Sequence, residues 1–440
     1  MRDIVLFCII FGLLPFVLKK PFVGVVLFTW VSLLNPHRFT YGAAYDFPFA
    51  AVIVGFTLVG MLISKDKKQF PLNTVTVVLL AFYFWMCLTT VFALEPERAF
   101  IEWIRVSKTM LLTLIVMLCI RTKKEIQLFT WIVALSIGFF GLKGGLFTIL
   151  TGGKNHVLGP EGSYIQDNNA LALAMVVGLP MIWYLWTITR RGPLRIAILA
   201  LVLLTALSVV GSYSRGAMLA GAVMVLFLFL KSKYKLGVTI ALLIAVPVIL
   251  QIMPDQWFER MNSIENYASD RSALGRINAW HFAINLANAN PFGGGFDCFT
   301  HRLFFVYAPE PYNHHAAHSI YFQVLGEHGY IGLLLFLAFI AAAWMLGRRV
   351  IRRCKSDPEL EWAGNLAAMC QVSIVGYVIG GAFLTLAYYD LFYDIVAILV
   401  VLEKYLRQFD VRRVLAGDPA GTTQSRQEYA MHQPGGFEAP

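Results

Sequence analysis

Stretches of about twenty residues without a charged side chain recur along this sequence, and no other feature constrains the fold as strongly. Two of them, "TVTVVLLAFYFWMCLTTVFAL" at 74–94 and "AGNLAAMCQVSIVGYVIGGAFLTLAYY" at 363–389, are apolar on every face. At a rise of about 1.5 Å per residue, about twenty residues cross the roughly 30 Å hydrocarbon core of a bilayer as a helix. A barrel strand would instead alternate lipid-facing and lumen-facing residues. With 58% of the chain apolar and only 14% charged, a water-soluble protein is excluded. The expected fold class is all-α, a polytopic integral membrane protein.

Spans are expected at 21–34, 49–63, 73–94, 103–120, 126–149, 169–188, 195–211, 215–230, 236–252, 318–346, 362–386 and 388–406, about twelve in all. Basic clusters fall in alternate gaps: Lys19 and Lys20; Lys65, Lys67 and Lys68; Arg121, Lys123 and Lys124; Arg190, Arg191 and Arg195; Lys231, Lys233 and Lys235; Arg348 to Lys355; Arg407, Arg412 and Arg413. By the positive-inside rule these gaps face the cytoplasm. The net charge of +10 is then a topology signal, and nucleic acid is not expected as a partner. The segment "IVLFCIIFGLLPFVL" (4–18) reads either as one more span, with Met1 outside, or as a half-inserted helix. It lacks the basic start and small-residue cleavage site of a signal peptide.

The chain divides into an N-terminal transmembrane bundle (1–252), a large outer loop (253–317), C-terminal transmembrane helices (318–413) and a polar, Gly- and Pro-rich tail (414–440) expected to be disordered in the cytoplasm. A loop of about 65 residues is far longer than a connection needs, so chemistry is expected there. Within it, "GRINAWHFAINLANANPFGGGF" (275–296) places Ile277, Trp280, Ile284 and Ala287 at helical spacing, an amphipathic helix with its apolar face on the bundle. Six of the nine histidines lie between His281 and His328. Of the six cysteines only Cys298 is in this loop, so no outward-facing disulfide is expected.

Two outer elements hold the candidate chemistry. In "GSYSRGAML" (211–219) Ser214 caps the following helix and leaves Arg215 in its first turn, the wrong end of the dipole for a cation. An anion there would make the arrangement favourable, since free amides, dipole and guanidinium would all act on it. A phosphate or pyrophosphate fits. The plainer alternative is an arginine reaching lipid headgroups. The second element is "NHHAAHS". His314 and His318 would be one helical turn apart, but without HExxH, a cysteine partner or a carboxylate before Glu327 the pattern argues against a metal. His314 and His315 read equally well as headgroup-contacting histidines. His318, at the start of a span, can serve as a neutral general base.

"SRGAMLA" (214–220), the 275–296 stretch and "AHSIYFQVLGEHGYIGLLLF" (317–336) resemble the successive motifs of the bacterial O-antigen ligase and polymerase superfamily. "LPFVLKKPFVGVVLFTWVSLLNPHRFTYG" resembles its O-antigen and O-glycosylation ligases. The resemblance implies a GT-C-like membrane enzyme at the periplasmic face of a bacterial inner membrane. Its donor would be a glycan on undecaprenyl pyrophosphate and its acceptor a lipid A-core sugar, with membrane lipids around it. No cofactor, metal or nucleotide is implied, because the lipid pyrophosphate is already a good leaving group. Carried onto this sequence, Arg215 would hold the pyrophosphate, Arg276 or Arg302 would help neutralise charge, and His318 would be the base. His315, Tyr321 and Asp390 complete the expected substrate-binding set. Polymerases and protein glycosyltransferases of the same superfamily share these motifs. A lipid or polysaccharide transporter is disfavoured because most spans are clean and the charges collect at the outer edge, Lys143 and Asp390 excepted.

Overall fold

A computed structural model describes residues 1–64, 69–190, 192–231, 235–262 and 271–415, and among them every regular element is a helix. The first ten are α1 (Arg2–Lys19), α2 (Pro21–Leu34), α3 (Phe49–Ile63), α4 (Thr74–Val91), α5 (Pro96–Cys119), α6 (Lys123–Leu150), α7 (Asn168–Ile188), α8 (Pro193–Gly211), α9 (Arg215–Lys231) and α10 (Lys235–Ile252). The long loop carries α11 (Asp255–Asn262), α12 (Arg271–Ala289) and α13 (His301–Tyr307), and the chain closes with α14 (Ile320–Cys354), α15 (Glu361–Gly381) and α16 (Asp390–Leu415). Helix starts follow local chemistry. Proline occupies the first turn of α2, α5 and α8, where its missing N–H costs nothing. Asn73 with Thr76, and Thr122 with Glu125, form capping boxes on α4 and α6.

Among the described residues six helices are long and apolar enough to cross a membrane: α4, α6, α7, α8, α14 and the stretch Pro358–Gly381 that contains α15. The helices at 21–34, 49–63 and 215–230 are apolar but shorter, and α5 and α16 carry several charged residues each. The tail from residue 416, Lys65, Lys67, Lys68, Arg191 and Lys233 lie outside the described residues.

Contacts sort the connections into two ends. At one, Lys404 Nζ donates to the carbonyls of Met117, Leu118 and Ile120, closing the C-terminus of α5. Arg353 pairs with Asp410, Arg413 pairs with Asp357, and Lys123 sits over the ring of Trp362. This is the basic end. At the other, the loop end, Arg38 abuts Gly162, Val157 N–H donates to Gly211 O, and Leu94 N–H donates to Gly294 O. Residues 4–18 belong to one continuous helix, α1, whose first residues join the loop end: Arg2 donates to Phe39 O, and Asp3 accepts from the amides of Gly42 and Ala44. Lys143, exposed on α6, lies over the ring of Phe39 at the same end.

Two features differ from the sequence expectation. On α12, Trp280 stacks on Phe322 at 4.9 Å, and Ile284 and Ala287 join a cluster with Leu325, but Ile277 is 36% exposed. A second apolar face, Ala279, Phe282 and Leu286, forms a small core with Cys298, Leu303 and Phe304. The helix is covered on two sides because α13 folds over it, which periodicity read against a single partner does not reveal. The other difference is α14. Read as one unbroken span at 318–346, it breaks at Gly329, where φ is 66° and ψ −170°. The carbonyls released at such a break need donors in a dry environment. Gly294 N–H supplies Gly326 O at 2.8 Å, Gly295 N–H supplies Glu327 O at 2.9 Å, and Trp85 Nε1 supplies His328 O at 2.9 Å. A side chain at Gly329 would overlap Pro291 O, and one at Gly293 would overlap the Glu327 carbonyl. The Pro-Phe-Gly-Gly-Gly segment is therefore shaped to the kink.

Candidate active site at the loop end

The turn before α9 is tied down from three directions. Asn168 Nδ2 donates to Ser212 O at 2.7 Å, Tyr213 hydroxyl donates to Gly153 O at 2.6 Å, and Trp257 Nε1 donates to Val210 O at 3.1 Å. Tyr213 holds a left-handed φ of 62°. Ser214 Oγ accepts from Ala217 N–H at 3.3 Å, the helix cap expected from the sequence, and Arg215 occupies the first turn, half-buried. The turn so braced presents a guanidinium at the positive end of a helix dipole.

His318 immediately precedes α14 rather than lying within it. Its φ of 41° is again left-handed, a conformation that costs a non-glycine residue of order 1 kcal/mol or more and persists only where the surroundings enforce it. Thr385, in the turn between α15 and α16, accepts the His318 N–H at 2.9 Å. Burial lowers the imidazole pKa below the usual 6.5, the Arg276 charge and His315 lower it further, and Asp167 opposes them. The ring makes no hydrogen bond among the described residues. Such a histidine is neutral near neutral pH and has a lone pair to offer.

Two routes join the Arg215 turn to His318. Asp167, which acts on the His318 charge, caps α7 through Asn169 N–H and Ala170 N–H, and its neighbour Asn168 holds Ser212. On the other side Gly216 packs against Phe383, two residues before Thr385. The structure thus brings Arg276, His315 and Asp167 within electrostatic reach of His318, and ties the turn that carries Arg215 to the same elements through Asn168 and Phe383. The His315 ring lies flat against the Cα of Gly275, where any side chain would overlap it.

The remaining expected residues point elsewhere. Arg302 pairs with Glu95 at 2.8 Å and donates to Leu94 O at 2.7 Å, fastening α13 to the start of α5. Tyr321 hydroxyl donates to Val378 O at 2.8 Å, fixing α14 to α15. Asp390, placed in the substrate set by sequence, accepts hydrogen bonds from Ser32 and Thr109 instead. His314 is not on a helix with His318, since 308–319 has no helical residue. Its Nε2–H donates to Phe299 O at 2.7 Å, and its ring lies against that of His301 at 4.0 Å, tilted by 33°.

Sequence reasoning did not single out Asp167, whose Asp-Asn-Asn context signals a cap but not a neighbour. It also passed over a second polar cluster at the kink. Glu327 accepts from Tyr388 hydroxyl at 2.6 Å and from Asp297 N–H at 3.2 Å, while Arg98 pairs with Asp297 at 2.7 Å. Glu102 accepts from Tyr164 hydroxyl at 3.0 Å and pairs with Arg105 at 2.9 Å. His328 meets Thr89 Oγ1 through Nδ1 at 2.7 Å.

Residues 1–190 match a family of unknown function, DUF5935. Residues 200–337 match the O-antigen ligase family, a stretch running from α8 past the kink of α14 and containing Arg215, Arg276 and His318. That match supports the O-antigen ligase and polymerase superfamily and, in general terms, a membrane glycosyltransferase activity on lipid-linked glycans. With the apolar helices it supports a multi-pass membrane protein. No curated protein matches the chain.

Proposed function

We propose that this protein transfers O-antigen polysaccharide from undecaprenyl pyrophosphate to a lipid A-core sugar, at the periplasmic face of the bacterial inner membrane. The observation that carries the reading is a half-buried histidine, His318, biased to its neutral form by burial and by the nearby Arg276 charge, at the end of the bundle where the braced turn before α9 sets Arg215 at a helix start.

In the proposed reaction His318 accepts the proton of the acceptor hydroxyl as its oxygen attacks the anomeric carbon. The glycosidic bond to the pyrophosphate breaks, undecaprenyl pyrophosphate leaves with the bonding pair, and the anomeric centre inverts. Arg215, at the positive end of the α9 dipole, holds the pyrophosphate, and Arg276 helps to neutralise charge that develops as it departs. Arg276 has a second effect: its positive charge disfavours imidazolium, so the base stays available. Since the leaving group is already activated, the mechanism calls for neither metal nor nucleotide. Arg302, engaged with Glu95, is assigned to holding the loop. The broken α14 has its kink carbonyls supplied by protein donors, unlike the ion-coordinating breaks of transporters.

The test is reconstitution. Purified protein is mixed with lipid-linked polysaccharide and lipid A-core in excess chelator without nucleotide, and a ladder on lipid A-core is expected by gel. Growth of the lipid-linked glycan itself would make the protein a polymerase, transfer to a polypeptide would make it a protein glycosyltransferase, and strict dependence on an added divalent ion would overturn the mechanism.

A further inference from the structure

A cavity of about 960 Å³ is bounded by Leu274, by the His315 ring and by the turn Pro-Glu-Pro-Tyr-Asn at 309–313. The turn is exposed, yet it is braced as few exposed turns are. Asn278, 4% exposed on α12, donates through Nδ2 to Glu310 O and Asn313 O and accepts the Glu310 N–H through Oδ1, each at 2.9 Å. Asn313 Nδ2 donates to Glu310 Oε2 at 3.1 Å. Prolines on either side of Glu310 further restrict the backbone. The result is a fixed display of one carboxylate, one amide and the ring of Tyr312, which is 90% exposed and meets only the edge of Phe305 at 6.0 Å.

We infer that this cavity is the subsite for the acceptor sugar, which reaches His318 past His315 while Arg215 holds the donor. The inference rests on the transferase reading above and adds the residues that would choose the acceptor. A sugar ring offers two kinds of surface, neighbouring hydroxyls and an apolar C–H face. The Glu310 carboxylate accepts from hydroxyls and the Asn313 amide can do both, while the Tyr312 ring gives a flat apolar surface with a polar tip. Holding these groups in place beforehand spares the ordering cost on binding. The charge pattern sorts the two substrates. Among the described residues no lysine or arginine lines the cavity, and Glu310 repels a pyrophosphate, whereas Arg276 acts on His318. A peptide is disfavoured, because the cavity has neither an open strand edge nor a groove between helices. His315 joins the cavity to His318: its ring lines the cavity, packs on Gly275 beside Arg276, and acts electrostatically on His318.

The experiment measures binding of deacylated lipid A-core oligosaccharide to the full-length protein in nanodiscs, by saturation-transfer NMR and titration, alongside donor affinity and acceptor KM in the transfer assay. Tyr312→Ala and Glu310→Gln change exposed side chains, and their melting temperatures serve as the fold control. Each is expected to weaken oligosaccharide binding and raise acceptor KM by about tenfold, with donor affinity unchanged. If the wild type binds and transfers to the sugar while both variants bind it as tightly, the cavity is not the acceptor subsite and the transferase reading stands. If donor affinity falls with acceptor affinity, the cavity serves the donor. If the wild type binds no oligosaccharide but an acceptor peptide does bind and is weakened by these variants, both the sugar subsite and the choice of lipid A-core as acceptor are wrong.

Discussion

Two polar clusters share the loop end of the bundle, one at the start of α14 and one at its kink, and they are built on opposite plans. Around the kink four acidic side chains are spent on the protein: Glu327 on Tyr388 and the Asp297 amide, Asp297 on Arg98, Glu102 on Tyr164 and Arg105, Asp390 on Ser32 and Thr109; among the described residues only His328 Nε2 of the groups named there is buried without a hydrogen-bond partner. Around the start of α14 Arg276 and His315 face His318 with Asp167 opposing them, the His318 imidazole has no hydrogen bond among the described residues, and the backbone at His318 and Tyr213 is left-handed, as it also is at Asp297 beside the kink. Carboxylates paired within the chain stabilise one arrangement of helices, whereas an imidazole without a hydrogen bond among the described residues is available to something that is not part of the chain. The difference separates scaffold from site within a few turns of a single helix.

The sharpest way to break this comparison is His318→Asn, since asparagine tolerates the left-handed backbone and isolates the loss of the imidazole. Single-turnover transfer is expected to fall by about 10²–10⁴ with donor affinity retained; normal transfer would move the site elsewhere. Next in size is Arg215→Ala, expected to weaken lipid pyrophosphate binding by about 1.5–3 kcal/mol, with Arg215→Lys recovering part because it keeps the charge and loses the planar fork. A titration of lipid pyrophosphate against both variants reads this out.

Tyr388→Phe probes the other cluster. It strands one oxygen of buried Glu327 and is expected to cost about 1–3 kcal/mol of stability, seen as a lower melting temperature, with donor affinity unaltered. A loss of donor affinity as large as that of Arg215→Ala would erase the distinction between the clusters.

The smallest expected effect is a shift in pH dependence. A base is active when deprotonated, so wild-type transfer should be full above the His318 pKa and decline as pH falls through it, below the usual histidine value because burial and Arg276 lower it. Arg276→Ala removes one of those causes and should move the acid limb to higher pH. An unmoved limb in the pH–rate profile would show that Arg276 does not act on the base.

The class of fold was legible because the bilayer leaves so few solutions. Uncharged runs such as 74–94 must be helical to satisfy their backbone, caps such as Ser214 and Asn73 announce starts, and basic residues collect at one end. The candidate residues Arg215 and His318 were legible for a related reason: each is a polar group at the edge of an apolar run, where its presence calls for a partner. What the sequence could not reveal is decided between segments far apart in the chain. That Thr385 meets His318 and the Asp167 charge reaches it, that Arg302 and Asp390 are consumed by Glu95, Ser32 and Thr109, and that a glycine run at 293–295 slots into a break at Gly329 all depend on which helix packs on which. Hydropathy is a property of one segment against lipid, and in lipid an apolar face has no preferred neighbour. Helix partners are therefore chosen by shape and by a few hydrogen bonds, and those exist only once the chain has folded.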